Sequence, residues 1–325
     1  MKAWDKFNKN IVQNGLVRPF DRVLLCVSGG PDSVCMAHLF WRLRKTLNIE
    51  LFLVYCDHGL RRASAKEARF ITALADKLDI HAEVVKIPVR GYSQSNKASL
   101  ETAGRVLRYE AFVKAAGENR CNLISTGHNA NDNAETALMW LIRGTGSDGM
   151  SGIPLARPVE NKKAKIIRPI LCLTRSEIME YLKSQKLRYC TDESNASLDF
   201  TRNRLRHEVI PALEKYNPCF VEHVYALSRI FAQENDFLNS LTRKAKNTVV
   251  SIKKDKFELD LKRFFRYNKA LRLRLIKSIL PEKKSQLHIE RIHEWISGGG
   301  AGRLEFSSHW ELSKNASKVV LKKHK

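Results

Sequence analysis

Short apolar runs alternate with helical periodicity through the first two hundred residues. Residues 1–15 place Trp4, Phe7, Ile11 and Val12 at helical spacing, with Gly15 to stop the helix. Residues 22–27 contain the apolar run VLLCV and read as a buried strand, and 34–45 read as a helix with Met36, Leu39, Phe40 and Leu43 on one face. The alternation continues with a strand at 51–55, a helix at 65–78, a strand at 82–88, a helix at 99–116, a strand at 122–125 and a helix at 132–142. Continuous apolar strands separated by helices predict an α/β fold, a parallel twisted sheet with helices on both faces. Residues 166–171 suggest one more strand. Thr174 with Glu177 three positions on forms a capping box for a helix over 174–186, and 189–203 reads as a polar loop.

The texture changes after about residue 218. Helical patterns cover 220–247, 259–280 and 285–296, Gly298-Gly299-Gly300 ends the last, and 303–306 is expected to pair with 319–321 as a hairpin. Two domains follow: 1–215, α/β, and 216–325, mainly helical and basic.

Charge sharpens this division. The chain has 57 Lys and Arg against 34 Asp and Glu, a formal net charge of +23. Residues 201–325 hold 27 of the cations and 13 of the anions, so the shorter part is the more basic per residue. An imbalance of that size points to a polyanionic partner. No apolar run reaches the roughly 18 residues of a membrane span, and the first residues lack a secretory signal, so a cytoplasmic address is expected. The seven cysteines include no CxxC pair. That argues against a zinc knuckle or iron–sulfur site, and buried, reduced thiols are expected.

The chemically loaded stretches all follow predicted strands, at 28–33, 57–61 and 127–136. In a parallel sheet such loops converge outside the carboxyl ends of the strands. Ser28-Gly29-Gly30-Pro31-Asp32-Ser33 joins a strand to a helix: its glycines let backbone N–H groups approach an anion, and the helix N-terminus adds positive potential. Asp32 suits either a bound Mg2+ or a helix cap. The stretch is neither the common P-loop, which needs a Lys, nor G-x-G-x-x-G. Asp57-His58-Gly59-Leu60-Arg61 suits a nucleotide contact or an ordinary strand end. Glu101, Arg105 and Arg108 share one helix face, as a surface ion-pair ladder also would. Asp132 and Glu135, at a helix start, either serve the helix dipole or, with His128, hold a metal or a substrate ammonium. Arg143-Gly144-Thr145-Gly146 offers a cationic loop. Arg202, Arg204 and Arg206 read as phosphate grips or as a solvated basic helix.

Taken together these residues resemble a known family. SGGPDS at 28–33 is similar to the loop of the N-type ATP pyrophosphatases, the PP-loop family, whose fold is Rossmann-like. DHGLR at 57–61, E-x-x-x-R-x-x-x-Y from Glu101 to Tyr109, GH-x-x-x-D-x-x-E-T at 127–136, RGTG at 143–146, and D-x-S-N with R-N-x-x-R at 192–206 resemble, in order, the tRNA(Ile)-lysidine synthetases. Two departures stand out: Asn131 where that family usually has an Asp, and Gly104 where it often has Ala.

The resemblance implies a carbon–nitrogen ligase that attaches L-lysine to C2 of the wobble cytidine of tRNA(Ile) with a CAU anticodon. The reaction would run through an adenylated base and use ATP with Mg2+. It implies catalytic roles for Asp32, Arg105, Asp132 and Glu135. ATP would contact Ser28, Gly29, Gly30, Pro31, Asp32, Ser33, Asp57, His58, Arg61 and His128, with Mg2+ on Asp32. Arg143, Arg202, Arg204 and Arg206 would contact tRNA, and the assembly is left open, a homodimer being one expectation. Three other readings share features of the chain. A tRNA thiolase would need paired cysteines, a GMP-synthetase-like amide synthetase leaves the basic part without a purpose, and a non-catalytic RNA binder leaves the three loops without one.

Overall fold

Residue Val23 begins the alternation that builds the first core: Val23, Leu25 and Val27 face one side of a sheet, Leu24 and Cys26 the other, and all five are buried. The computed structural model describes residues 2–59, 64–160, 163–191, 201–253, 256–282, 285–307 and 310–323. In chain order the elements to residue 142 are α1 (Ala3–Asn14), β1 (Arg22–Cys26), α2 (Pro31–Leu47), β2 (Glu50–Asp57), α3 (Ser64–Leu78), β3 (His81–Lys86), α4 (Val89–Asn96), α5 (Leu100–Glu118), β4 (Leu123–Thr126) and α6 (Ala130–Ile142). Then come α7 (Ser147–Met150), β5 (Ala156–Pro158), β6 (Lys165–Ile167), α8 (Arg175–Ser184), α9 (Thr201–Arg204), a π-helical turn at Leu205–Val209, α10 (Ile210–Tyr216) and α11 (Phe220–Val249).

The six-stranded sheet has the order β3-β2-β1-β4-β6-β5, parallel except for the edge strand β5. Helices cover both faces, as the uninterrupted apolar strands predict. One core sets Phe7, Ile11, Met36, Phe40, Ile71 and Ile178 against Leu25, Leu53 and Ile167; the other sets Ala115 and Ala116 of α5 against Leu24, Val54, Ile124 and Ile166. Burying each such large side chain is worth about 1.5–3 kcal/mol. From β1 the chain builds outward through β2 and β3, then returns to place β4 on the other side of β1. The strand order therefore reverses between β1 and β4, where parallel sheets open a crevice at their carboxyl ends.

The predicted elements recur within a few residues, and Thr174 and Glu177 form the expected capping box on α8. The α4 helix and β5 have no counterpart in the sequence reading. The first is a short helix with one buried residue, Val89, and the second a three-residue exposed strand ended by Pro158, as suits a sheet edge. The 166–171 strand is shorter, ending at Ile167. Residues 192–200, part of the expected polar loop, lie outside the described residues. All seven cysteines are free: Cys26, Cys35, Cys56 and Cys121 are buried as expected, Cys172 and Cys190 are half-buried, and Cys219 is exposed. Burial pushes the Cys56 and Cys121 thiols up to about 11.

By its contacts the chain divides into 1–142 with 152–228, and 143–151 with 229–325. In the second unit helices predominate, as expected, and a small sheet that the sequence reading gave only as a terminal hairpin joins them. A five-stranded antiparallel sheet, order β7-β8-β11-β10-β9, is built from β7 (Val250–Lys253), β8 (Lys256–Asp260), β9 (Gly302–Ser307), β10 (Trp310–Lys314) and β11 (Lys318–Lys323). It packs Leu259, Leu312, Val319 and Leu321 against α13 (Lys269–Ile279) and α14 (Gln286–Ser297). The helix expected at 259–280 begins only after β8 and is split into α12 (Leu261–Phe264) and α13. Asp260 caps the first, accepting from the Arg263 amide, and Asn268 caps the second, accepting from the Leu271 amide. The expected pairing of 303–306 with 319–321 is also corrected, because β10 lies between β9 and β11. No helix among the described residues is long and apolar enough to cross a membrane.

Candidate active site

Gly29 has φ +83°, a left-handed conformation that a side chain would resist, and its carbonyl accepts from the Cys190 amide at 2.9 Å. Gly30 is the N-cap of α2 and Pro31 opens the helix. The Ser33 hydroxyl closes the turn, donating to the Gly30 carbonyl at 2.8 Å and accepting from the Ser28 amide at 3.2 Å; the Ser28 hydroxyl lies 3.3 Å from it. The turn thus presents the first N–H groups of α2 at the carboxyl end of β1, the geometry that favours a bound anion.

Gly127 joins this turn to the next motif. A Cβ there would sit 3.2 Å from the Ser33 amide nitrogen and 3.3 Å from the Asp32 carbonyl carbon. Any side chain here would crowd the start of α2, so glycine eases the close approach of the segment after β4. The 28–33 and 127–136 motifs therefore share one crevice. From this approach the chain enters α6, whose start is fixed by a reciprocal cap: the Asn129 amide donates to Asp132 Oδ2, and the Asp132 amide to Asn129 Oδ1, both at 3.0 Å.

Asp132 and Glu135 face the same way, as their spacing requires, and two arginines meet them. Arg202 donates through Nε to Glu135 Oε2 at 2.6 Å and through Nη2 to Asp132 Oδ1 at 3.0 Å. Arg206 donates through Nε to Glu135 Oε1 at 2.6 Å, with Nη2 3.1 Å from Oε2. Glu135 has no exposed surface at all. Burial alone would lower the Arg206 pKa; its hydrogen bonds and charge pairing with Glu135, and the Asp132 charge, raise it instead. Arg204, on the opposite side of the turn, is exposed. The three arginines follow helical rather than alternating geometry, so 202 and 206 share a face.

Among the described residues no backbone amide donates a well-formed hydrogen bond to the Asp32 carboxylate. One oxygen, Oδ2, pairs with the Arg175 guanidinium at the start of α8. The other, Oδ1, is buried without a well-formed partner among the described residues, the Asn129 side chain alone lying near enough to favour the charged form. Burial raises the Asp32 pKa, Arg175 opposes this, and the charge of Asp132 adds to the rise. Arg175 is held from behind, its amide donating to Asn131 Oδ1 at 2.8 Å. Asn131, the departure noted above, thus satisfies a free donor at the N-terminus of α8.

His128 Nδ1 lies 3.0 Å from the Thr126 hydroxyl. Burial, then the charges of Arg168, Arg202, Arg105 and Arg108, push its pKa down to about 3, so it is neutral near pH 7. On the β2 side, Asp57 Oδ1 accepts from the Gly59 amide at 2.8 Å, and His58 packs against α5, where a Cβ at Gly104 would lie 3.3 Å from its Nδ1. Arg105 is exposed on that helix. Arg61 lies outside the described residues. Arg143 is exposed and belongs to the second unit. Sequence reasoning missed Arg175 and Arg168: Arg175 sits inside a capping box that reads only as a helix start, Arg168 follows strand β6 with no motif around it, and only the fold shows what they meet.

No group of three or more His, Cys, Asp or Glu side chains among the described residues could hold a metal ion. Mg2+ is commonly bound through one or two carboxylates plus substrate phosphates, and the buried, unpartnered Asp32 Oδ1 fits that pattern.

The chain is 32% identical over 314 residues to tRNA(Ile)-lysidine synthase from Dehalococcoides mccartyi strain CBDB1, covering 93% of this chain and 66% of that one. It is 35% identical over 298 residues to tRNA(Ile)-lysidine synthase from Clostridioides difficile strain 630, covering 89% and 63%. The chain thus spans slightly under two thirds of the length of these curated relatives. Among solved structures, the U34-tRNA thiolase NcsA from Methanococcus maripaludis, with its [4Fe-4S] cluster, shares the fold. The TM-score is 0.59 with 18% identity, over 71% of this chain and 78% of that one. Residues 2–213 match the PP-loop domain, and with the Gly29-Gly30 turn set at the carboxyl end of β1, the chain belongs to the PP-loop family.

Proposed function

We propose that the chain ligates L-lysine to C2 of the wobble cytidine of tRNA(Ile) carrying a CAU anticodon, consuming ATP and releasing pyrophosphate and AMP. The observation that carries this reading is the contact of Gly127 with the backbone of Asp32 and Ser33, which sets an anion-binding turn and a pair of carboxylates in one crevice. Similarity to tRNA(Ile)-lysidine synthases supports it, as does the excess of cations over residues 201–325.

In the proposed reaction the ATP phosphates lie on the 28–33 turn. The cytosine O2 attacks the α-phosphorus, the bond to the β-phosphate oxygen breaks, and pyrophosphate leaves. The helix N-terminus and Arg105 stabilise the charge that develops there. Mg2+, held by Asp32, would supply further neutralisation of the phosphates. The ε-amine of lysine, having given a proton to Asp132 or Glu135, then forms a bond to C2 as the C2–O2 bond breaks and AMP leaves. Asp132 and Glu135 anchor the incoming ammonium. The guanidinium forks of Arg202 and Arg206 already hold both carboxylates, which suits them to electrostatic anchoring, so lysine enters by sharing or displacing those arginines. The neutral His128 beside them adds no charge that would repel an ammonium. A cytidine in a loop leaves the stack at lower cost than one in a duplex, which suits an anticodon substrate.

Incubation with ATP, labelled lysine and a CAU tRNA(Ile) tests the proposal. Label is expected in the RNA, with one AMP formed per lysine. Binding of RNA without ATP cleavage, or transfer of sulfur instead, would overturn it. Glu135→Gln is expected to impair lysine-dependent AMP release more than binding of an ATP analogue.

A further inference from the structure

Arg168 is the most buried arginine the reaction above leaves unused. It follows β6 directly and is only 5% exposed. Its amide donates to the Leu155 carbonyl at 2.8 Å and Nη1 to the Pro154 carbonyl at 2.6 Å, while Nε is buried with no partner among the described residues. The groups that act on it are the Tyr109 hydroxyl, as a hydrogen-bond partner, and two further cations, Arg157 and Arg105. The Arg157 guanidinium stacks over the Tyr109 ring at 4.9 Å, and both Arg157 and Arg105 are exposed. A guanidinium withdrawn from water without a countercharge costs several kcal/mol. Such a cost is expected to persist where a ligand supplies the missing anion.

The register says where that anion would lie. Ser125 of β4 pairs with Ile167 of β6, so Arg168 stands beside Thr126, just before Gly127 and His128. The 28–33 turn follows β1, on the other side of β4. With strands about 4.8 Å apart, the two sites are separated by about 10 Å along the sheet edge. We propose that Arg168 and Arg157 form a second anion site, distinct from the ATP turn, that binds a backbone phosphate of the RNA next to the reacting nucleotide. The exposed rim favours an RNA phosphodiester over a phosphate of ATP, because a polymer backbone reaches the site from solvent whereas the nucleotide phosphates are taken by the turn across β4. Burial first, and then the charge of Arg168 with that of Arg202, lowers the pKa of the neighbouring His128. The inference rests on the RNA substrate proposed above.

The test measures binding rather than turnover. Wild type, Arg157→Ala, Arg157→Lys and Arg168→Gln are titrated with a CAU anticodon stem-loop across 50–200 mM salt. In parallel they are titrated with a non-hydrolysable ATP analogue and with inorganic pyrophosphate. Arg157→Ala and Arg168→Gln are expected to weaken RNA binding about tenfold, the loss of one charge-assisted hydrogen bond. The salt slope should become shallower by about 0.7, as for one phosphate of a single strand. Arg157→Lys should keep the slope, and affinity for the ATP analogue and for pyrophosphate should stay within about twofold. Unchanged RNA affinity and slope would overturn the proposal. So would a fall in ATP-analogue or pyrophosphate affinity, which would assign the arginines to the nucleotide. Should Arg168→Gln fail to fold, judged by its melting curve, the exposed Arg157 variants decide the question alone. Wild-type protein that binds the stem-loop with the predicted slope but incorporates no lysine would sink the proposed function while leaving this site standing.

Discussion

Glu135, fully buried, and Asp32, half-buried, are two carboxylates with opposite situations. Glu135 is enclosed by two guanidinium forks; Asp32 pairs with Arg175 through one oxygen, while the other has only the Asn129 side chain near it among the described residues. Replacing Glu135 by Gln leaves Arg202 and Arg206 facing a neutral amide. Removing one partner of a fully buried pair costs about 3–5 kcal/mol. Here the arginines are more than a third exposed, water can solvate them, and a loss of about 1–3 kcal/mol by urea unfolding is expected. Asp32→Asn should do the reverse. The folded-state pKa of Asp32 is raised, so its ionised form costs stability above that pKa, and the cost disappears as pH falls through it. The asparagine variant is expected to melt no lower than wild type near pH 7, yet to lose about a hundredfold or more in ATP-dependent AMP formation. A melting point well below wild type would show that the Arg175 pair outweighs the desolvation. That Asp32, Asp132 and Glu135 follow strands and lie at helix starts was legible from the sequence. Their arginine partners were not, because Arg202 lies 67 residues from Glu135 and Arg175 lies 143 from Asp32.

Elements show the same division. The α2 and α6 helices could be read from apolar periodicity, and their N-termini from the residues before them. That they meet depends on Gly127, whose lack of a Cβ is meaningful only once β1 and β4 are neighbours. Gly127→Ala is expected to cost about 1–3 kcal/mol by forcing backbone apart, and to raise the KM for ATP. A variant with wild-type melting and ATP use would refute the close approach. The packing of α2 on α8 carries a pH signature. His38 Nδ1 lies 2.8 Å from the Tyr181 hydroxyl, and burial, with the charges of Arg42 and Lys77, pushes the His38 pKa down to about 4. An unfolded histidine titrates near 6.5, so this group's contribution is lost as pH falls from about 6.5 to about 4. His38→Gln should flatten the fall in melting temperature over that window; an unchanged profile would assign the acid sensitivity elsewhere. In the second unit, helical periodicity was followed too far. Phe257 and Leu259 alternate as a strand does, and Asp260 and Asn268 are caps, but one mixed stretch from 259 to 280 suits a helix until β11 supplies the partner for β8. Similarly, Lys314 is buried because its ammonium donates to the Trp295 and Gly298 carbonyls at the end of α14, a role no local pattern announces.

At the scale of the whole molecule, the net charge of +23 sets an expectation about RNA affinity that belongs to no single residue. Binding of a CAU tRNA should weaken steeply between 50 and 200 mM salt, by about 1,000-fold or more if six or more phosphates are neutralised. A salt-independent affinity would remove the phosphate contacts from the account. The sequence by itself determined the α/β class, the order of strands and helices to residue 142 apart from the short α4, the Gly-Gly turn, the carboxylates of α6 and the family, because each of these is written in local periodicity or in short contiguous motifs. Only tertiary structure decided which cations meet which carboxylates, that β6 carries Arg168 to the far side of the His128 loop, and that the second unit holds a five-stranded sheet. Those facts depend on strand order and on pairing between distant segments. Such pairing is fixed by the burial of whole faces at once, and no window of neighbouring residues records it.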